Sequence, residues 1–237
     1  MFAGPTRWLC ALAVAAFATA SAGCGGSAPA AALRTHPAAV ASVHTVWEIH
    51  EGAGFTVELH TGWVPVDPKT LAGEDAIHRM EAENPGLTRS FQAFAEVARQ
   101  PGVLIALDHT AAGRRIGEKT GFAPNILVRP FPLDPLTSDA RLLKEVLAQG
   151  RANAAKLGNL VGAPVTTRLR IAGLPARGVT YTFHENTAAG RQLVTESDNV
   201  TVRNGTAFLI FCTTVHSDLS RFRPFCTHAL TTFAFSD

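Results

Sequence analysis

Apolar and polar residues alternate with a period of two along much of the second half of this chain, the mark of half-buried strands. Val165, Thr167, Leu169 and Ile171 alternate with Thr166, Arg168 and Arg170, and Val179, Tyr181 and Phe183 alternate with Gly178, Thr180, Thr182 and His184. Leu193 to Arg203 and Thr206 to Val215 flank Asn204-Gly205, a dipeptide suited to a type I′ hairpin turn because both central positions need positive φ. The run Ala207 to Cys212 in the second arm is apolar on both faces. It predicts a central strand covered on both sides, with Phe208, Ile210 and Cys212 facing one way and Leu209 and Phe211 the other. Nearer the N-terminus, Thr45 to His50 and Gly54 to Leu59 predict a hairpin around Glu51-Gly52-Ala53-Gly54, and the short apolar runs Val103 to Asp108 and Asn125 to Val128 predict buried strands.

Helical spacing marks three other stretches. Residues 86 to 99 carry Leu87, Phe91, Phe94 and Val97 on one face, and Pro101-Gly102 ends the run. A second helix starts at Ser138-Asp139, places Leu143, Val146, Leu147, Ala154 and Leu157 on a face that must pack against a sheet, and stops at Gly158. The tail from about Arg221 spaces Phe222, Phe225, Cys226, Ala229, Leu230 and Phe233 helically, with Pro224 tolerable only near the helix start. Residues 109 to 124 and 130 to 137 are left as long connections. The fold class is α+β, mainly antiparallel sheet flanked by helices, in one domain over residues 45 to 237.

The N-terminal segment reads differently. Arg7 precedes an apolar stretch from Trp8 to about Ala20, too short to span a bilayer, and Ala18-Thr-Ala-Ser-Ala-Gly-Cys24 then brings small residues up to a cysteine. This is the pattern of a bacterial lipobox, in which Cys24 becomes the lipidated N-terminus after residues 1 to 23 are removed. Two or more acyl chains give stable anchoring where one would be marginal. Plain secretion is the alternative, since Ala18-Thr-Ala20 and Ala20-Ser-Ala22 also fit a small-x-small cleavage site. Residues 24 to 44, rich in Gly, Ala, Pro and Ser, form a flexible tether.

A formal charge of +2 on 237 residues gives no electrostatic claim on nucleic acid. The local basic cluster Arg114-Arg115 with Lys119 lies in a Gly-containing stretch and reads as a solvated loop. With Cys10 lost in the signal and Cys24 lipidated, Cys212 and Cys226 remain, fourteen positions apart. In an oxidising compartment such a pair most simply forms one disulfide, and it would place the C-terminal helix on the Phe208/Ile210 face. A redox-active or metal-binding pair is the rival reading, which would want CxxC spacing or nearby histidines.

No GxSxG elbow, HExxH, P-loop or GxGxxG opening a helix is present, so no catalytic, cofactor-binding or metal site is assigned. His44, His50 and His60 flank the first hairpin without helical pairing and read as strand or surface histidines. His184 beside Glu185 and His216 near Asp218 close two predicted strands, and a general acid/base pair would require those ends to meet in space. The sequons at Asn199 and Asn204 read as chance. Most phenylalanines and Trp63 fit the core, with Trp63 also the candidate for a groove holding an apolar ligand.

The segment Gly54-Phe-Thr-Val-Glu-Leu-His-Thr-Gly-Trp63, followed by Phe122-Ala-Pro-Asn-Ile-Leu-Val128, resembles the PsbP/MOG-like α/β/α sandwich. His60 is a departure, standing where that pattern carries Pro. With a lipobox in front, the chain resembles actinobacterial lipoproteins of the LpqN/LpqT type over about residues 45 to 235. The resemblance implies an accessory or binding protein rather than an enzyme, and carries over no catalytic residue. Three functions follow as expectations: a membrane-anchored envelope protein acting through a protein partner, a carrier for a lipid or other apolar ligand, and a hydrolase of unfamiliar pattern with a Ser or Thr nucleophile near His184 or His216.

Overall fold

Strand pairing organises the chain into two antiparallel sheets, and in the computed structural model this can be followed over residues 47–66, 78, 99–133, 136–155, 159–187 and 189–236. The smaller sheet joins β1 (Trp47–Gly52), β2 (Phe55–His60) and a short terminal β10 (Ala234–Phe235), with β2 central. The larger contains β3 (Trp63–Pro65), β4 (Leu104–Asp108), β5 (Asn125–Pro132), β6 (Val165–Ile171), β7 (Leu174–Thr187), β8 (Gly190–Arg203) and β9 (Thr206–Val215). Its order, β3-β4-β5-β9-β8-β7-β6, is two meanders joined edge to edge where β5 pairs with β9. The α+β antiparallel class is the one the residue periods predict.

The β8–β9 turn is Asn204-Gly205, with φ of 51° and 73°. β9 is central, as its two apolar faces require. Phe208, Ile210 and Cys212 join Phe55, Val57, Leu59, Ile126 and Phe222 in one core cluster, while Leu209 packs with Leu142, Leu143, Val200 and Val202 in another. α2 (Asp139–Ala155) covers the second face, and α3 (Leu219–Thr232) with the small sheet covers the first.

Four expectations change. Residues 109 to 124 contain a helix, α1 (Ala111–Thr120), capped by Thr110, whose Oγ1 accepts from Gly113 N at 3.1 Å, and ended by Gly121 at φ 63°. Arg114, Arg115 and Lys119 therefore stand on a helix and not in a loop. Gly113 and Gly117 lower helix propensity and blur the apolar period, yet both are buried, and a Cβ on Gly113 would stand 2.3 Å from the Asp108 carbonyl oxygen. β5 runs past Val128 through Pro130 and Pro132. Leu133 N bonds Gly205 O, so in this ladder the odd residues point their N–H at β9 and the even ones point away, beyond the end of β4, where proline lacks nothing. α3 starts earlier than Arg221, so Pro224 is its sixth residue, and the carbonyl one turn back belongs to exposed Ser220, where water can bond it. β6 is an edge strand, with Val165 and Thr167 exposed and only Ile171 fully buried. The helix expected over 86 to 99 lies almost wholly outside the described residues.

Candidate functional site

Cys24, residues 1 to 23, the tether and His44 lie outside the described residues. Within them, Cys212 and Cys226 are bonded, with Cα atoms 5.9 Å apart. Alternation turns Cys212 toward α3, the helical period turns Cys226 back toward β9, and both sulfurs sit in the core cluster with Phe222 and Ala229.

Trp63 is 2 % exposed, at the start of β3. Its ring packs 5.7 Å from Phe222 and 5.8 Å from Phe225. The structure places it in the core rather than at a groove wall, because α3 lies directly over it.

The expected acid/base pairs separate. Neighbours in a strand point to opposite faces, so His184 and Glu185 diverge: Glu185 shares a face with Tyr181 and Glu196, His184 with Thr182 and Thr195. His184 and His216 do reach the same end of that sheet face, without bonding each other. His216 Nδ1 lies 2.9 Å from Thr195 Oγ1, which lies 3.1 Å from Thr182 Oγ1. Thr195 is 4 % exposed, and its hydroxyl occupies the ring nitrogen that an orienting carboxylate would need. Asp218 is turned elsewhere, holding Arg221 at 2.8 and 2.6 Å. Arg221 also reaches the buried Asp108 carboxylate at 2.7 Å, so one guanidinium ties α3 to β4 and to the end of β9.

A polar cluster that no sequence motif marks sits on the opposite face. Tyr181 donates to Glu196, whose other oxygen accepts from Thr213 at 3.2 Å, and Asp198 Oδ2 lies 3.2 Å from the same phenol oxygen. Loss of water, then the charges of Glu196 and Asp198, push the Tyr181 phenol far up. Burial first and Glu196 second raise Glu185 to about 7, and the same order of causes lifts Asp198 well above its ordinary value.

At the outer side of α3, His228 lies face to face with Trp47, centroids 3.5 Å apart and planes 15° apart, and its Nε2 is 3.0 Å from Glu58 Oε2. His60, whose Nδ1 accepts from Gly62 N at 3.0 Å, abuts Trp47 and Phe225 edge-on. An open groove runs beside this patch, lined by Ser220, Arg223, Pro224, Thr227, His228 and Thr231. Its lining is more apolar than polar in surface, with the hydroxyls of Ser220, Thr227 and Thr231 and the Arg223 guanidinium set into it. His50, on β1, has a buried Nε2 without a partner among the described residues, and burial lowers its pKa against the opposing charge of Glu48. The described residues contain no group of three His, Cys, Asp or Glu side chains arranged to hold a metal, and no helix long and apolar enough to cross a membrane.

No protein-family model and no curated protein sequence matches the chain. Among solved structures it is similar to cyanobacterial PsbP from Synechocystis sp. PCC 6803, at 14 % identity and TM-score 0.46, covering 84 % of this chain and 99 % of that one. It is also similar to the Saccharomyces cerevisiae Ran-binding protein Mog1p, at 13 % identity and TM-score 0.46 over 82 % and 97 % of the two chains. A third is LpqN, involved in cell envelope biogenesis of Mycobacterium tuberculosis, at 11 % identity and TM-score 0.45 over 82 % and 92 %. A shared chain path does not carry function with it.

Proposed function

We propose that this is an extracytoplasmic envelope protein, anchored through lipid on Cys24, that works as an accessory by binding a protein partner and not by catalysis. The Cys212–Cys226 bond carries the reading, because a buried disulfide in a chain of this kind belongs to an oxidising compartment, and the only other cysteines stand in the signal and at the lipobox. The Trp47, His60 and His228 patch with its adjoining groove supplies a surface of the kind partners use, aromatic at the centre and charged at the rim, where Arg223 and Glu58 stand. The carrier reading loses its wall residue with Trp63 in the core. The hydrolase reading would have to use a threonine hydroxyl that solvent hardly reaches.

Intact mass of the protein taken from its own envelope tests the proposal. A chain beginning at Cys24, heavier by its acyl groups and two hydrogens lighter than the reduced form, is the expected result. An unmodified chain beginning elsewhere, or free thiols at 212 and 226, would overturn it. A small-molecule adduct of defined mass that is lost on denaturation would move the reading to a carrier.

A further inference from the structure

Four arginines gather where α2 meets β6, the last strand of the large sheet among the described residues. Arg168 and Arg177 are register partners across β6 and β7, so their side chains leave the same face side by side. Thr166 and Arg170 flank Arg168 on that face. Arg151 reaches in from α2 and donates from Nε to Thr166 Oγ1 at 3.1 Å. Arg170 donates to the Gly173 carbonyl at 3.1 Å and Arg177 to the Ala176 carbonyl at 3.0 Å, both uncharged acceptors. Among the described residues no carboxylate pairs with any of the four. Glu196 and Asp198, further along the same face, are turned to the Tyr181 hydroxyl.

This grouping is local, since the whole chain carries only +2. One cation is enough to guard an edge strand from pairing with another chain. Placing two directly opposite each other adds repulsion that a neighbouring carboxylate would ordinarily relieve. An anionic counterpart from outside the chain completes the arrangement.

We propose that this edge docks on the anionic phospholipid headgroups of the membrane to which the chain is tethered, an inference that rests on the proposed anchor at Cys24. Guanidinium groups match phosphate oxygens in paired hydrogen bonds, and Arg168 and Arg170 on β6 and Arg151 on α2 are all exposed. Cys24 stands only 23 positions before Trp47, where the described residues begin, so an anchor there keeps this face near the headgroup layer.

Protein isolated from its own envelope is combined with vesicles of phosphatidylcholine alone and with vesicles that also contain phosphatidylglycerol. Flotation on the neutral vesicles reads the anchor, and amide hydrogen exchange over residues 165–171 reads the docking. Exchange in β6 should slow several-fold only where phosphatidylglycerol is present, and return to its free rate in ~0.5 M salt and in the Arg168→Gln/Arg170→Gln variant. The Arg168→Lys/Arg170→Lys variant, which keeps the charge but loses the paired hydrogen bonds, should retain only part of the protection. Equal exchange on both vesicle types overturns docking, even where flotation upholds the anchor. Failure to float on neutral vesicles overturns the anchor alone, and flotation that then depends on phosphatidylglycerol supports the patch. Protection in an envelope extract with no dependence on phosphatidylglycerol assigns the patch to an acidic protein and also overturns the proposal.

Discussion

The carboxylate of Asp139, the first residue of α2, accepts hydrogen bonds from the backbone amides of Asn204 and Gly205, at 3.2 and 3.1 Å. The residue that favours the helix start by its charge also holds the β8–β9 turn, sixty-five positions away in the chain. Replacing it should therefore cost more than an exposed first-turn acid. Asp139→Ala is expected to destabilise by about 1 to 2 kcal/mol, and Asp139→Asn, which keeps an acceptor, by less. Chemical denaturation of the two variants tests this; equal midpoints for wild type and Asp139→Ala would refute it.

The Cys212–Cys226 bond closes a short loop between the central strand and α3, so reduction should lower stability by about 3 kcal/mol on the loop-entropy model. Urea midpoints with and without reductant give the value. An unchanged midpoint would mean that packing of α3 alone holds the two elements together.

Arg221→Met should be severe, by about 3 kcal/mol, since it leaves the fully buried Asp108 carboxylate without its cation. Adding Asp108→Asn should recover part of the loss, which a double-mutant cycle resolves. Additive effects would show that the ion pair contributes nothing of its own.

Gly113→Ala should destabilise α1 although alanine is the better helix former. The new methyl would stand within 2.4 Å of the carbonyl oxygen and carboxyl group of Asp108, and the backbone there is paired in β4 and cannot yield cheaply. A melting temperature equal to or above that of wild type would contradict the packing.

Glu185 titrates near 7 in the folded chain, above its unfolded value of about 4.3. The folded state therefore holds a proton that the unfolded state has released. The stability this contributes is full below the unfolded pKa and declines as pH rises through the interval to about 7, by at most ~4 kcal/mol. Glu185→Gln should flatten that part of the profile relative to wild type. Parallel profiles from pH 4 to pH 8 would exclude the assignment.

The residues of β6 to β9 announce themselves because each side chain has only two faces to choose from, and the residue types record the choice. Asn204-Gly205, the two-sided apolar run of β9 and the amphipathic faces of α2 and α3 are local properties of this kind, and the α+β antiparallel class follows from them. α1 was hidden because Gly113, which serves close contact with Asp108 of the preceding strand, and Gly117 interrupt its apolar period. The same holds for the sites. Adjacent letters join His184 to Glu185, but the pleat sends them to opposite faces. Register across β6 and β7 sets Arg168 against Arg177, and a turn of α3 brings Arg221 to Asp108. By itself the sequence determined, in the elements whose period is clean, which face each residue occupies; which elements those faces meet was decided only by tertiary structure, because burial leaves its mark on residue type while the identity of the covering partner does not.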